Sequence, residues 1–139
     1  MGKGPWPRCP RTAWKGGAMQ MDMETVARAF SGHKFEDAIP RLNDDIDWEL
    51  VGGEDVHGKP AVVRICESLT EDLTDVHTDF EQFRVMVAGE SVIVDSVARY
   101  AGADGSLSRV ASCDIYDFAQ GRVARIRSYN VELAPDGPA

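Results

Sequence analysis

Cysteine, histidine and basic side chains are all scarce in this 139-residue chain, and each shortage excludes a class of protein. The three cysteines, Cys9, Cys66 and Cys113, are odd in number and far apart, which fits neither a disulfide framework nor a zinc knuckle. Cys66 and Cys113 lie in apolar stretches and read as small, reduced core residues. The three histidines, His33, His57 and His77, show no His-x-His or His-x-x-x-His spacing, so no metal site is expected. Fifteen basic against 23 acidic side chains leave a formal charge of −8, the wrong sign for neutralising a phosphate backbone, and nucleic acid is not expected as a partner. No apolar run approaches the roughly 20 residues that cross a bilayer, and no leader-like segment follows the N-terminus. The expectation is a soluble, cytoplasmic protein with no membrane partner. Glycine-rich phosphate loops and nucleophile elbows are missing too, and no cofactor is expected.

What is present is enough apolar content, 43%, for a single core. Residues 1–20 carry Lys3, Arg8, Arg11 and Lys15 with no acid and several prolines and glycines, a composition that cannot join a packed core, and they read as a disordered tail. Met19, Met21 and Met23 follow, each an alternative first residue for the folded part, which without the tail carries about −12. Residues 21–134 form the predicted domain, and 135–139 read as a second disordered end.

Asp22 is placed to cap a helix through Val26, Ala29 and Phe30, with Gly32 as its stop and His33 at the end of its dipole. A short helical turn is predicted over Phe35 to Leu42, limited by Pro40. Then Ile46, Trp48 and Leu50 alternate with Asp47 and Glu49, the pattern of a half-buried strand. His57 falls in a loop. Lys59-Pro60 opens another helix, whose Val62, Ile65, Cys66 and Leu69 form an apolar stripe. From Thr78 onward four extended segments, Asp79 to Val87, Ser91 to Tyr100, Leu107 to Phe118 and Arg122 to Leu133, are separated by turns too short for anything but antiparallel pairing. The fold class is α+β: helices first, then a meander of long strands that must bend, making a cone with a hollow interior.

Three stretches carry a family resemblance: Phe30-Ser-Gly-His-Lys-Phe-Glu-Asp-Ala-Ile-Pro-Arg-Leu-Asn-Asp-Asp-Ile-Asp-Trp48, Gly58-Lys-Pro-Ala-Val62 and Tyr116-Asp-Phe-Ala-Gln-Gly-Arg-Val-Ala-Arg-Ile126. Over about Met23 to Leu133 the chain resembles the SnoaL-like branch of the nuclear transport factor 2 (NTF2-like) superfamily. The resemblance implies N-terminal helices packed on a strongly curved, mainly antiparallel sheet, with a hydrophobic pocket between them. The implied lining is Trp48, Leu50, Val94, Ser96, Ala98, Ser112, Asp114, Tyr116, Ile126, Ser128 and Asn130, with Phe30 from the first helix and His57 at the entrance. Superfamily members include polyketide cyclases, steroid isomerases, epoxide hydrolases and transport factors, so fold alone does not select an activity.

Alternation supports even positions inward on Ser91 to Tyr100, because the odd ones include Asp95 and Arg99. On Leu107 to Phe118 both faces are equally apolar. Pattern leaves Asp114 either inside or outside, paired there with Arg99, Arg125 or Arg127; the resemblance implies inside. There, burial would raise its pKa, so that it stays protonated near neutral pH and donates to a substrate carbonyl, with Tyr116 as a second donor. Leu50 stands where steroid isomerases of the superfamily carry their catalytic carboxylate, and Ser112 and Ser128 stand where the epoxide hydrolases carry an arginine and an aspartate. The resemblance therefore implies an acid–base cyclase or isomerase acting on a carbonyl-bearing polyketide or steroid-like compound. The alternatives are a non-catalytic binder of hydrophobic small molecules and an epoxide hydrolase-like or protein-interaction domain. A homodimer is expected through an outer sheet face bearing Ile93, Val97, Cys113, Ile115 and Tyr129.

Overall fold

A computed structural model describes residues 17–135. Helix α1 (Gly17–Ser31) and the single turn α2 (Phe35–Ala38) lead through a 3₁₀ turn (Ile39–Arg41) into strand β1 (Leu42–Leu50). A short strand β2 (Asp55–His57), helix α3 (Lys59–Asp72) and the long strands β3 (Val76–Ala88), β4 (Ser91–Gly102), β5 (Leu107–Ala119) and β6 (Arg122–Leu133) complete the chain. The six strands form one open sheet in the order β2-β1-β6-β5-β4-β3. Every neighbouring pair is antiparallel except β1 and β6, which run parallel.

Three irregularities interrupt the ladders, between Leu42 and Asp47 on β1, Phe80 and Gln82 on β3, and Asp117 and Phe118 on β5. Each adds local twist, and strands of 12 or 13 residues cannot remain flat through them. The sheet curls around α1 and α3. Met23, Val26, Ala27 and Phe30 of α1 and Val62 and Cys66 of α3 are buried against Leu42, Ile46, Trp48, Val92, Val94, Tyr116, Phe118, Val123 and Ile126 of the sheet. Phe30 is the hinge pin of this core, edge-on to Phe35 and Trp48 at 5.1 Å and to Tyr116 at 5.9 Å between ring centroids.

The α+β architecture agrees with expectation, and several local readings change. Asp22 is not a cap: α1 begins upstream of it, at Gly17, and its carboxylate pairs with Arg41. Ala29 packs against the core as expected but is only partly buried, whereas Ala27 is fully buried. His57 ends a strand instead of lying in a loop. The tail and C-terminus expectations fall largely outside the described residues, as does Cys9; residues 17–20 of the expected tail are helical. Arg109 is the least anticipated buried residue. Its side chain is 2% exposed on the outer face of β5, with two guanidinium nitrogens each 2.9 Å from the Glu81 carboxylate. A charge so placed needs that fork-on-carboxylate geometry to offset its lost hydration.

Candidate active site

Between the concave sheet face, α1 and α3 lies a cavity of about 560 Å³. Its wall includes Phe30, Ser31, His33, Phe35, Trp48, Leu50, Ile65 and Leu69 from the first half of the chain. Phe80, Ser96, Tyr100, Val110, Ser112, Asp114, Ser128, Asn130 and Glu132 come from the meander. The register explains the polar ones: Ser96 pairs with Ser112 and Ser112 with Asn130, while Asp114 pairs with Ser128, so neighbouring rows of one face point inward. Mostly apolar walls with a few convergent polar groups suit a small organic ligand.

Asp114 is the chemical centre. The arginines that would have held it outside are occupied elsewhere, Arg99 with Glu81 and Arg125 and Arg127 with Glu49. Ser31 Oγ donates to Asp114 Oδ2 at 2.7 Å, and Tyr116 Oη lies 2.6 Å behind Ser31 Oγ. Trp48 Nε1 donates to Ser128 Oγ at 3.0 Å, and the Ser128 hydroxyl bonds Asp114 in turn. With the carboxylate ionised, both hydroxyls point their hydrogens at it and each is backed by a further donor. Burial pushes the Asp114 carboxyl above its ordinary range, and the Ser128 and Ser31 bonds and nearby His33 pull it only partly back. Tyr116 is fully buried and its phenol is held well above its usual range, chiefly by burial and then by the Asp114 charge, so it acts as a neutral hydroxyl.

Of the residues expected in the wall, Phe30, Trp48, Leu50, Ser96, Ser112, Asp114, Ser128 and Asn130 are there. Val94, Ala98 and Ile126 share the inward face but are packed into the core, with no part in the wall. Tyr116 is a correction of the same kind: it reaches the cavity only through Ser31, so it is no direct donor to a ligand. His57 is a fuller correction. It is exposed on the far side of β1, 2.5 Å from Asp47, beside a separate shallow surface depression. The Asp47 contact raises its pKa there without any link to the cavity.

Neither Ser31 nor His33 is among the site residues expected from sequence: His33 reads as helix-terminal punctuation, and nothing in the pattern marks Ser31. α1 ends in a Schellman motif: Lys34 N donates to Ala29 O at 2.8 Å and His33 N to Phe30 O at 3.2 Å, with His33 in the left-handed region at φ 66°. The motif turns the imidazole back over the end of the helix into the cavity wall. Its rings of contact are Phe35, Phe80 and Tyr100, at 5.9, 5.7 and 6.0 Å. Burial lowers its pKa, against an opposing pull from Asp114.

A family model described as a SnoaL-like domain matches residues 23–126. The chain belongs to the SnoaL-like family. Among solved structures, an NTF2-like protein of unknown function from Cytophaga hutchinsonii is 26% identical, with 81% of this chain and 99% of that one covered at a TM-score of 0.72. A protein of Jannaschia sp. named as a SnoaL-like polyketide cyclase is 18% identical over 90% of each chain, at a TM-score of 0.64. An LEH-like epoxide hydrolase of M. tuberculosis is also 18% identical, over 81% of this chain and 84% of that one, at 0.62. The last two likenesses concern the fold alone. A comparison with curated proteins gave no match. Among the described residues, no helix is long and apolar enough to cross a membrane, and no group of three or more His, Cys, Asp or Glu is arranged to hold a metal.

Proposed function

We propose that this SnoaL-like domain is a cofactor-independent acid–base enzyme that cyclises or isomerises a hydrophobic, carbonyl-bearing compound of polyketide or steroid-like character. The observation that carries this reading is a half-buried carboxyl, Asp114, in the wall of a largely apolar cavity, joined to a hydroxyl relay. Raised proton affinity makes Asp114 a stronger base than an exposed carboxylate when ionised, and a ready acid once protonated. A carbon flanked by carbonyls gives its proton to Asp114, and the C–H electron pair moves onto carbonyl oxygen as an enolate. In cyclisation the enolate carbon bonds to a second carbonyl carbon, whose oxygen takes the proton back; in isomerisation the proton returns to a different carbon. Ser31 and Ser128 hydrogen bond the carboxylate and can reorient as it is protonated, so part of the charge change is met by the protein's own hydroxyls.

An epoxide hydrolase reading gains no support, since Ser112 bonds Asn130 at 2.7 Å, Ser128 bonds Trp48, and the described cavity wall holds no arginine. The test is incubation of the protein with β-polycarbonyl esters and a β,γ-unsaturated ketosteroid, read by mass and ultraviolet spectra. Conversion that disappears in Asp114→Asn supports the proposal. Compounds bound yet returned intact would instead mark a binding protein.

The functional unit on this reading is a cytoplasmic homodimer. On the outer face, cross-strand rows bring together Met86, Ile93 and Ile115, then Cys113 and Tyr129, then Val97, Ala111 and Val131. Val131 is 59% and Tyr129 37% exposed, an apolar surface suited to a second copy.

A further inference from the structure

We propose that His33 is the oxygen-recognising group of the cavity: a neutral imidazole whose N–H binds the ligand's carbonyl oxygen and so completes, with Asp114, the pair that moves the proton. The inference rests on the acid–base reading above. The first support is backbone. His33 and Gln120 are the two non-glycine residues with positive φ among those described, and Gln120 lies in the tight β5–β6 hairpin, where that conformation belongs. His33 instead occupies the left-handed position of a Schellman motif, a place glycine fills at least strain. The available glycine stands one residue earlier, where a Cβ at Gly32 would meet the Arg28 carbonyl oxygen at 2.8 Å. The chain thus holds a side chain where the backbone penalises one, and three main-chain bonds keep it there: Gly32 to Arg28, His33 to Phe30 and Lys34 to Ala29.

The second support is the ring's setting. Its edge lies in the cavity wall among Phe35, Phe80 and Tyr100, and neither ring nitrogen is hydrogen bonded to any described residue. An imidazole always carries at least one N–H, and with no described partner fixing the tautomer that hydrogen is free to sit on the nitrogen nearer the ligand space. Asp114 and His33 feel each other's charge, and burial of the ring favours its uncharged form. The third support is chemical need. When Asp114 removes a carbon-bound proton, negative charge collects on the substrate oxygen, and the described wall offers no lysine or arginine to meet it. A preorganised neutral N–H in a largely apolar wall does this well. Charge balances: the proton goes to Asp114, the electron pair to oxygen, and His33 keeps its own proton while hydrogen bonding that oxygen.

The experiment compares two ligands of one shape, acetonaphthone with its carbonyl oxygen and isopropenylnaphthalene with a methylene in its place, titrated by calorimetry against the full-length protein. The intact protein should prefer the ketone, and nitrogen-15 shifts of the His33 ring should move with the ketone only. His33→Phe should lower ketone affinity about tenfold and leave alkene affinity nearly unchanged, removing the preference. His33→Gln, which restores an N–H donor, should recover part of it, and Tyr100→Phe should retain it. A wild-type ketone preference that survives in His33→Phe, or its absence in the wild type, would overturn the assignment. The two readings fail separately: a His33-dependent preference without any turnover removes the acid–base reading and leaves the oxygen site, whereas turnover unaffected by His33→Phe removes the oxygen site and leaves Asp114.

Discussion

Asp114, Ser31 and Tyr116 form a chain in which each member sets the state of the next. Ser31 has one hydrogen and gives it to Asp114, so Tyr116 must donate to Ser31 while the carboxylate is ionised. Ser31→Ala then strands a fully buried phenol, and the expected cost is about 1–3 kcal/mol in denaturant unfolding. Adding Tyr116→Phe should return part of that loss, because the stranded hydroxyl is gone; simple additivity would contradict the relay. Asp114→Asn behaves differently. A carboxyl with raised proton affinity in the fold lowers stability as pH rises through its folded value and has no effect once protonated in both states. The variant should therefore equal or exceed the wild type in Tm at about pH 7, and the difference should vanish towards roughly pH 3–4. That side chain's inward face was not legible in the alternation of β5, where Ala111, Cys113 and Ile115 are as apolar as Val110, Ser112 and Tyr116. Only the family resemblance pointed to it.

At the scale of elements, the α1 terminus carries more than its residue types announce. Gly32 reads as an ordinary stop, yet the left-handed residue is His33, and glycine is needed at 32 for close approach to the Arg28 carbonyl. Gly32→Ala should cost on the order of 1–2 kcal/mol, seen as a lower Tm, and should disturb the His33 ring contacts with Phe80 and Tyr100. An unchanged Tm would mean the terminus can relax without loss. The strands were far more legible than this terminus. Their boundaries followed from Ala88–Glu90, Asp104-Gly105 and Gln120-Gly121, turn residues with mechanical reasons to be there. The strand β2 was hidden because three residues show no period, and with it went the placement of His57. Val94, Ala98 and Ile126 illustrate a limit of periodicity: it assigns a face of the sheet, while depth along a closing cone decides between cavity wall and solid core.

For the whole molecule, the cone follows from long strands, bulges and a parallel β1–β6 contact that brings Trp48 beside Ile126 and Leu50 beside Ser128. The helix-then-meander order announced this; the parallel pairing, being non-local, had no sequence signal. The outer face predicts a dimer in sedimentation at micromolar concentration, and Tyr129→Asp with Val131→Asp should give a monomer that keeps its fold; a wild-type monomer would contradict the interface. The chemistry proposed for the cavity depends finally on one carboxyl group whose proton affinity is raised by partial burial. Carbon-13 NMR titration of the Asp114 side chain, assigned with Asp114→Asn, measures that directly. A midpoint clearly above the ordinary aspartate value of about 3.9 is the predicted result, and a midpoint at or below it would contradict the account.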